Sequence, residues 1–140
     1  MRSIDKIIIH CTATPEGRAV SVDEIRQWHL DRGWSDIGYH YIIDIKGNLQ
    51  EGRPLRRAGA HVRGHNKGSI GIAYVGGVDS DLKPKDTRTD CQKGRLKAFI
   101  MDLMDEYPNA TLHGHNEFSS KACPSFEVQD EYQDIIEFYK

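Results

Sequence analysis

Seven histidines and three cysteines in 140 residues are a generous supply of imidazole nitrogen and thiol sulfur. His10, His113 and His115 lie beside a glycine or at the end of a predicted strand, and His61 lies two residues after Gly59. Zinc takes such donors at ~2.0 to 2.3 Å, and a hydrolytic zinc site uses three protein ligands and leaves a fourth position to water. His115 and Cys123 both fall in the Gly114 to Pro124 loop, so they converge only if that loop folds back, and a third ligand has to come from elsewhere. Spacing alone does not choose between these histidines: His113 can face the same side of an extended segment as His115. Cys11, inside a strand, and Cys91, at a helix start, read as small buried hydrophobes.

The elements that must position these donors are legible in outline. The run from Lys6 to Cys11, with three consecutive isoleucines, predicts a buried strand whose end carries His10 into the Thr12 to Gly17 loop. Ser21 and Glu24 form a capping-box pattern opening a first helix, which Gly33 stops. Tyr39 to Ile45 reads as a strand turned back at Lys46 to Asn48 into Leu49 and Gln50. Ser69 to Val75 is the most apolar strand candidate and is expected at the sheet centre, with Gly71 at a point of close packing. Gly76 to Lys85 reads as a surface loop. Thr89 and Gln92 cap a second helix that ends near Pro108. Ala110 to Leu112 reads as a short strand, and Val128 to Phe138 as one last amphipathic helix. Strands interleaved with helices predict a single α/β domain over residues 1–140, with a central mixed sheet flanked by about three helices and the site in a surface groove.

Composition narrows the function classes. The net charge of -2 argues against a general nucleic-acid binder. No stretch approaches the ~20 apolar residues of a membrane span, and the apolar run after the N-terminus is too short for a signal peptide, so synthesis in the cytoplasm without membrane insertion is expected. Three cysteines cannot all pair, which disfavours a disulfide framework. From Glu51 to Lys67 four arginines and one lysine face one glutamate, a basic stretch that either is simply solvated or borders a site for an anionic ligand. Arg56, Arg57 and Arg63 can pair with carboxylates, but one sequence does not assign them. Trp28 and Trp34 flank the first helix and read as packing residues, with sugar stacking as the alternative.

The segments IIIHCTAT, IRQWHLDRGWSDIGYHYII, GAHVRGHNKGSIGI followed by VGG, and HGHNEFSSKACPSF resemble, in order and spacing, the zinc amidase family. That family includes N-acetylmuramoyl-L-alanine amidases, amidase-type phage lysozymes and peptidoglycan recognition proteins. The resemblance runs from about Asp5 to Phe126. It implies that His10, His115 and Cys123 bind one zinc ion, that Tyr39 and Lys121 are the catalytic side chains, and that His61 and Asn66 line the substrate groove. His115 is preferred over His113 because its distance to the cysteine fits the family. Glu117 is a candidate for orienting a ligand imidazole or assisting as a base, with a plain surface role as the alternative.

The activity implied is hydrolysis of the amide between N-acetylmuramic acid and L-alanine in bacterial peptidoglycan, by a monomer. The enzyme would act on the cell wall, as an endolysin of a phage or prophage that leaves the cell through a membrane pore made by another protein. A peptidoglycan-binding module without catalysis is the rival. The family's binding-only members typically lack the ligand cysteine, which this chain keeps.

Overall fold

Ile7, Ile8 and Ile9 leave strand β1 (Lys6–Cys11) apolar on both faces, and five of its six residues are buried. A strand of that kind needs cover on both sides. In the computed structural model, which describes residues 2–140, β1 runs parallel to β5 (Ser69–Tyr74) on one side and to β7 (Thr111–Gly114) on the other. Strand β3 (Tyr41–Ile43) pairs in parallel with the far edge of β5, and β4 (Leu49–Glu51) closes the sheet antiparallel to β3. The order β4-β3-β5-β1-β7 is mixed and puts the SIGIAY strand at its centre.

Side-chain alternation divides the core between the two faces of the sheet. Ile7, Ile9 and Cys11 pack with Ile70, Ile72 and Tyr74 against Leu96, Ile100 and Leu103 of helix α2 (Asp90–Glu106). Each fully buried isoleucine contributes about 1.5–3 kcal/mol. On the opposite face Ile42 and Val75 join Val20, Ile37 and Ile25 of helix α1 (Val22–Asp31) in a smaller cluster. His10 lies on this second face, one residue away from the strand positions that enter the larger core.

The helices start where the sequence marks them. Ser21 Oγ accepts from the Glu24 N–H at 3.1 Å, and Thr89 and Gln92 form both arms of a capping box. Each such cap is worth roughly 1 kcal/mol.

Several local expectations are corrected. The Gly76 to Lys85 segment contains a two-residue strand, β6 (Gly77–Val78), paired in parallel with β2 (Thr14–Pro15). A strand that short has no periodicity to read, and its pairing is imposed by neighbours: a Cβ on Gly77 would meet Cys11 Sγ at 2.3 Å. The last helix is two, α3 (Val128–Glu131) and α4 (Gln133–Phe138), broken at Tyr132, whose hydroxyl receives a hydrogen bond from Arg88 at 2.9 Å. Four helices therefore stand among the described residues where about three were expected. Cys91 is exposed on the first turn of α2 rather than buried, because the capping box turns Gln92 inward in its place. Strand β3 begins at Tyr41, leaving Tyr39 and His40 in the segment that leads into it. No helix among the described residues is long and apolar enough to cross a membrane.

Candidate metal centre and active site

Parallel strands deliver their C-terminal ends to one edge of a sheet, and loops leaving that edge form crevices. Here His10 is the last residue but one of β1, and β7 ends at Gly114, immediately before a 3-10 turn over His115–Glu117. The chain then loops back to Cys123, whose Sγ accepts from the Cys11 N–H at 3.2 Å. Fold and loop closure thus bring together one donor atom each from His10, His115 and Cys123, all within 4.8 Å of one another. His10 Nδ1 stands 3.8 Å from Cys123 Sγ, and the His10 and His115 ring centroids are 4.7 Å apart.

The donor types and the His10–Cys123 distance suit a zinc ion. Two ligands on adjacent corners of a zinc tetrahedron lie roughly 3.3–3.6 Å apart when the bonds are about 2.0–2.3 Å. The His10–Cys123 separation is close to that range without rearrangement. The imidazoles also have the required protonation: burial, and then the charges of His61, His115 and Lys121, hold His10 well below the ordinary histidine range. Burial followed by Lys121 lowers His115 as well. Both therefore offer lone pairs at neutral pH. The Cys11 side chain and burial push the Cys123 thiol up, whereas the Cys11 N–H and Lys121 favour its anion.

The three donors line a cavity of about 180 Å³ that also contains Tyr39, His61 and Lys121. The Tyr39 ring packs 5.2 Å from His10 and 5.4 Å from His29. Burial, with smaller contributions from Cys123 and Cys11, pushes the Tyr39 phenol up, so it keeps its proton and is available to donate a hydrogen bond. Lys121 is exposed on the returning loop and reaches the same opening. Both side chains expected to act in chemistry thus share one cavity with the expected ligands.

The remaining expected residues are distributed differently. His61 borders the cavity but is largely buried, with His10 Nε2 at 2.8 Å from its Nδ1 and Ser69 Oγ at 3.1 Å from its Nε2. Asn66 is not among the cavity-lining residues; its Oδ1 accepts from the N–H groups of His61 and Val62, both at 2.9 Å, and so fixes the loop that carries His61. Glu117 contacts His113 at 2.9 Å and accepts from the Gly114 N–H at 2.6 Å, which orients the turn rather than the His115 ring.

In the basic stretch Arg53 is buried and donates to the Ile37 and Ala58 carbonyls, and Arg57 donates to Ser35 Oγ. Arg56 and Arg63 are exposed and stand outside the cavity lining. Sequence reasoning missed Arg32 and Thr12 in the cavity wall and read Trp34, which lines it, as packing first. The Arg32 guanidinium lies 5.5 Å from the centre of a Trp34 ring. The RGW step at the end of α1, with Gly33 at φ +88, was the available signal.

A mixed α/β sheet whose crevice gathers two histidines and one cysteine belongs to the class of α/β folds with a candidate metal site at the strand ends. Comparison with known proteins makes this specific: residues 1–126 match the family model of N-acetylmuramoyl-L-alanine amidase, and the chain belongs to that family. It is 42% identical to the endolysin of Escherichia phage T7 over 127 residues, covering 91% of this chain and 84% of that protein. The endolysin of Klebsiella phage KP32 is 40% identical, with 89% and 82% covered. Among solved structures, the amidase LysC from Clostridium intestinale superposes with a TM-score of 0.81 at 27% identity, covering 96% of this chain and 86% of that one. Bumblebee PGRP-SA superposes with a TM-score of 0.78 at 29% identity, covering 98% and 84%.

Proposed function

We propose that this chain hydrolyses the amide between N-acetylmuramic acid and L-alanine in peptidoglycan, with a zinc ion held by His10, His115 and Cys123. The observation that carries this is the meeting of three donor atoms within 4.8 Å in a cavity shared with Tyr39 and Lys121. The family match and the likeness to phage endolysins support peptidoglycan as the substrate and the cell wall as the place of work. The match over most of the chain and the single main sheet support one amidase domain over residues 1–140. All five side chains come from one chain, so a monomer suffices.

A zinc ion there would supply Lewis acidity and lower the pKa of a water toward ~7. The protein side chains provide the rest. The Lys121 ammonium, a compact cation on a mobile stem, stabilises negative charge that builds on the carbonyl oxygen during attack. The Tyr39 phenol, kept protonated, donates a hydrogen bond within the same cavity and helps carry a proton toward the departing amine. Cleavage adds the water hydroxyl to the muramyl carbonyl carbon and leaves the proton on the L-alanine nitrogen.

Likeness to recognition proteins supports a rival in which the same groove binds peptidoglycan without cutting it. Mass spectrometry of purified peptidoglycan after incubation with the zinc-loaded protein separates the two. Release of stem peptides with a free L-alanine amino group is the expected result. Intact stems together with wall binding would establish the rival.

A further inference from the structure

We infer that His61 is a positioning residue that fixes the ring and tautomer of His10 through a hydrogen-bond chain ending at Ser69. This rests on the zinc-site reading above and goes beyond it by giving His61 a role away from substrate.

The direction of every proton follows from the atoms involved. His10 Nδ1 faces Cys123 Sγ at 3.8 Å, so it is the nitrogen available as a ligand, and the ring proton sits on Nε2. That N–H points at His61 Nδ1, 2.8 Å away, which must accept. A ring that accepts at Nδ1 is the neutral tautomer with its proton on the other nitrogen. Its single proton is therefore on Nε2 and is donated to Ser69 Oγ at 3.1 Å. Ser69, fully buried on the first position of β5, faces the Asn66 carbonyl at 3.5 Å and directs its own proton there.

Both ring nitrogens of His61 are thus engaged inside the protein, leaving no free polar atom of the ring for a substrate. The sheet is also shaped to receive this ring. A Cβ on Gly71 of β5 would lie 2.6 Å from His61 Cγ, and one on Gly59 would lie 2.6 Å from its Cδ2. The two rings meet nearly edge-on, at 85°, as a directed N–H to lone-pair contact allows. Outer partners of metal-bound imidazoles fix the tautomer and raise ligand basicity, and losing one typically costs about 10–100-fold in metal affinity.

The test compares zinc affinity, by competition with a chromogenic chelator, in the wild type and in His61→Leu, His61→Asn and Ser69→Ala. His61→Leu should bind zinc about 10–100-fold more weakly. His61→Asn, whose Oδ1 can accept where Nδ1 did, should recover most of that loss. Turnover on a soluble muramyl peptide should track zinc occupancy, with KM little changed in both. Wild-type zinc affinity in His61→Leu, or a raised KM with zinc affinity intact, overturns the inference and returns His61 to the substrate groove. If His61→Leu does not fold, Ser69→Ala decides: weakened zinc binding supports the chain, and unchanged affinity refutes it. A wild type that takes no zinc, or a Cys123→Ala variant that binds it equally well, brings down the zinc-site reading itself, a result distinct from failure of His61 alone.

Discussion

His113 Nδ1 and Glu117 Oε1 are 2.9 Å apart, and the same carboxylate accepts from the Gly114 N–H through its other oxygen. His113 Nε2 meets Thr111 Oγ1 at 2.7 Å, so both of its ring nitrogens are occupied. His115, two residues on, turns into the cavity with His10 and Cys123 instead. Two histidines that the sequence leaves nearly equivalent are separated by a carboxylate that holds one of them outside.

It follows that His115→Ala should lose zinc, whereas His113→Ala should retain it. The partly exposed His113–Glu117 pair is worth at most about 1 kcal/mol, so stability should change little. Metal analysis after gel filtration, beside a thermal melt, checks both; zinc lost from His113→Ala and kept by His115→Ala would reverse the assignment.

Cys123→Ala should abolish zinc retention and activity together, since it removes the thiolate from a three-ligand set. Lys121→Ala should keep zinc and lose turnover by roughly 10²–10³-fold, the usual cost of removing one group that stabilises an oxyanion. Tyr39→Phe should likewise keep zinc and lower kcat. Full activity in either Lys121→Ala or Tyr39→Phe would exclude that side chain from the chemistry.

Acid should destabilise the fold through His29 and His40. Burial is the main cause that holds each at about 4 in the folded chain, below the ordinary 6.5. Between pH 6.5 and about 4 the unfolded chain binds protons that the folded chain refuses, so stability is complete above 6.5 and falls as pH drops. His29 Nδ1 accepts from the Gly38 N–H at 2.8 Å, a bond that the Oδ1 of asparagine can replace. Melting temperatures from pH 7.5 to 4 should fall more gently in His29→Asn than in the wild type; parallel curves would show that His29 does not contribute.

Arg88 is almost completely buried, forms ion pairs with Asp86 and Glu131, and lies 3.7 Å over the Phe126 ring. It ties the approach to α2 to the chain just beyond Cys123. Arg88→Ala should cost about 3 kcal/mol, the lower part of the range for breaking a buried pair, because both carboxylates retain access to water. That corresponds to a fall in Tm of roughly 6–12 °C. A shift within 1–2 °C (roughly the effect of ~0.5 kcal/mol) would count against this network as a stabilising element.

The elements that positioned the site were largely legible. Three isoleucines in a row require a doubly covered strand, the two capping patterns started helices where helices start, and Gly71 was read as a close approach, which the His61 ring confirms. What stayed hidden depended on partners remote in sequence. Nothing near Tyr132 announces a helix break, because the break accompanies a contact with Arg88, 44 residues away. Cys91 was misjudged because an apolar residue type at a helix start does not say which way that turn faces.

By itself, the sequence determined the strands of the five-stranded sheet, the two helix caps, the mixed α/β class and the supply of zinc-type donors, since hydrophobic period and capping act over a few neighbouring residues. The quoted motifs also pointed to the amidase family, because their order and spacing survive without coordinates. Only the tertiary structure decided which donors meet: His10 reaches Cys123 across 113 residues and His61 across 51. Such pairings are set by parallel strand register and loop return, which no local pattern encodes, so the division between an imidazole free for metal and one held by a neighbour appears only once the chain has folded.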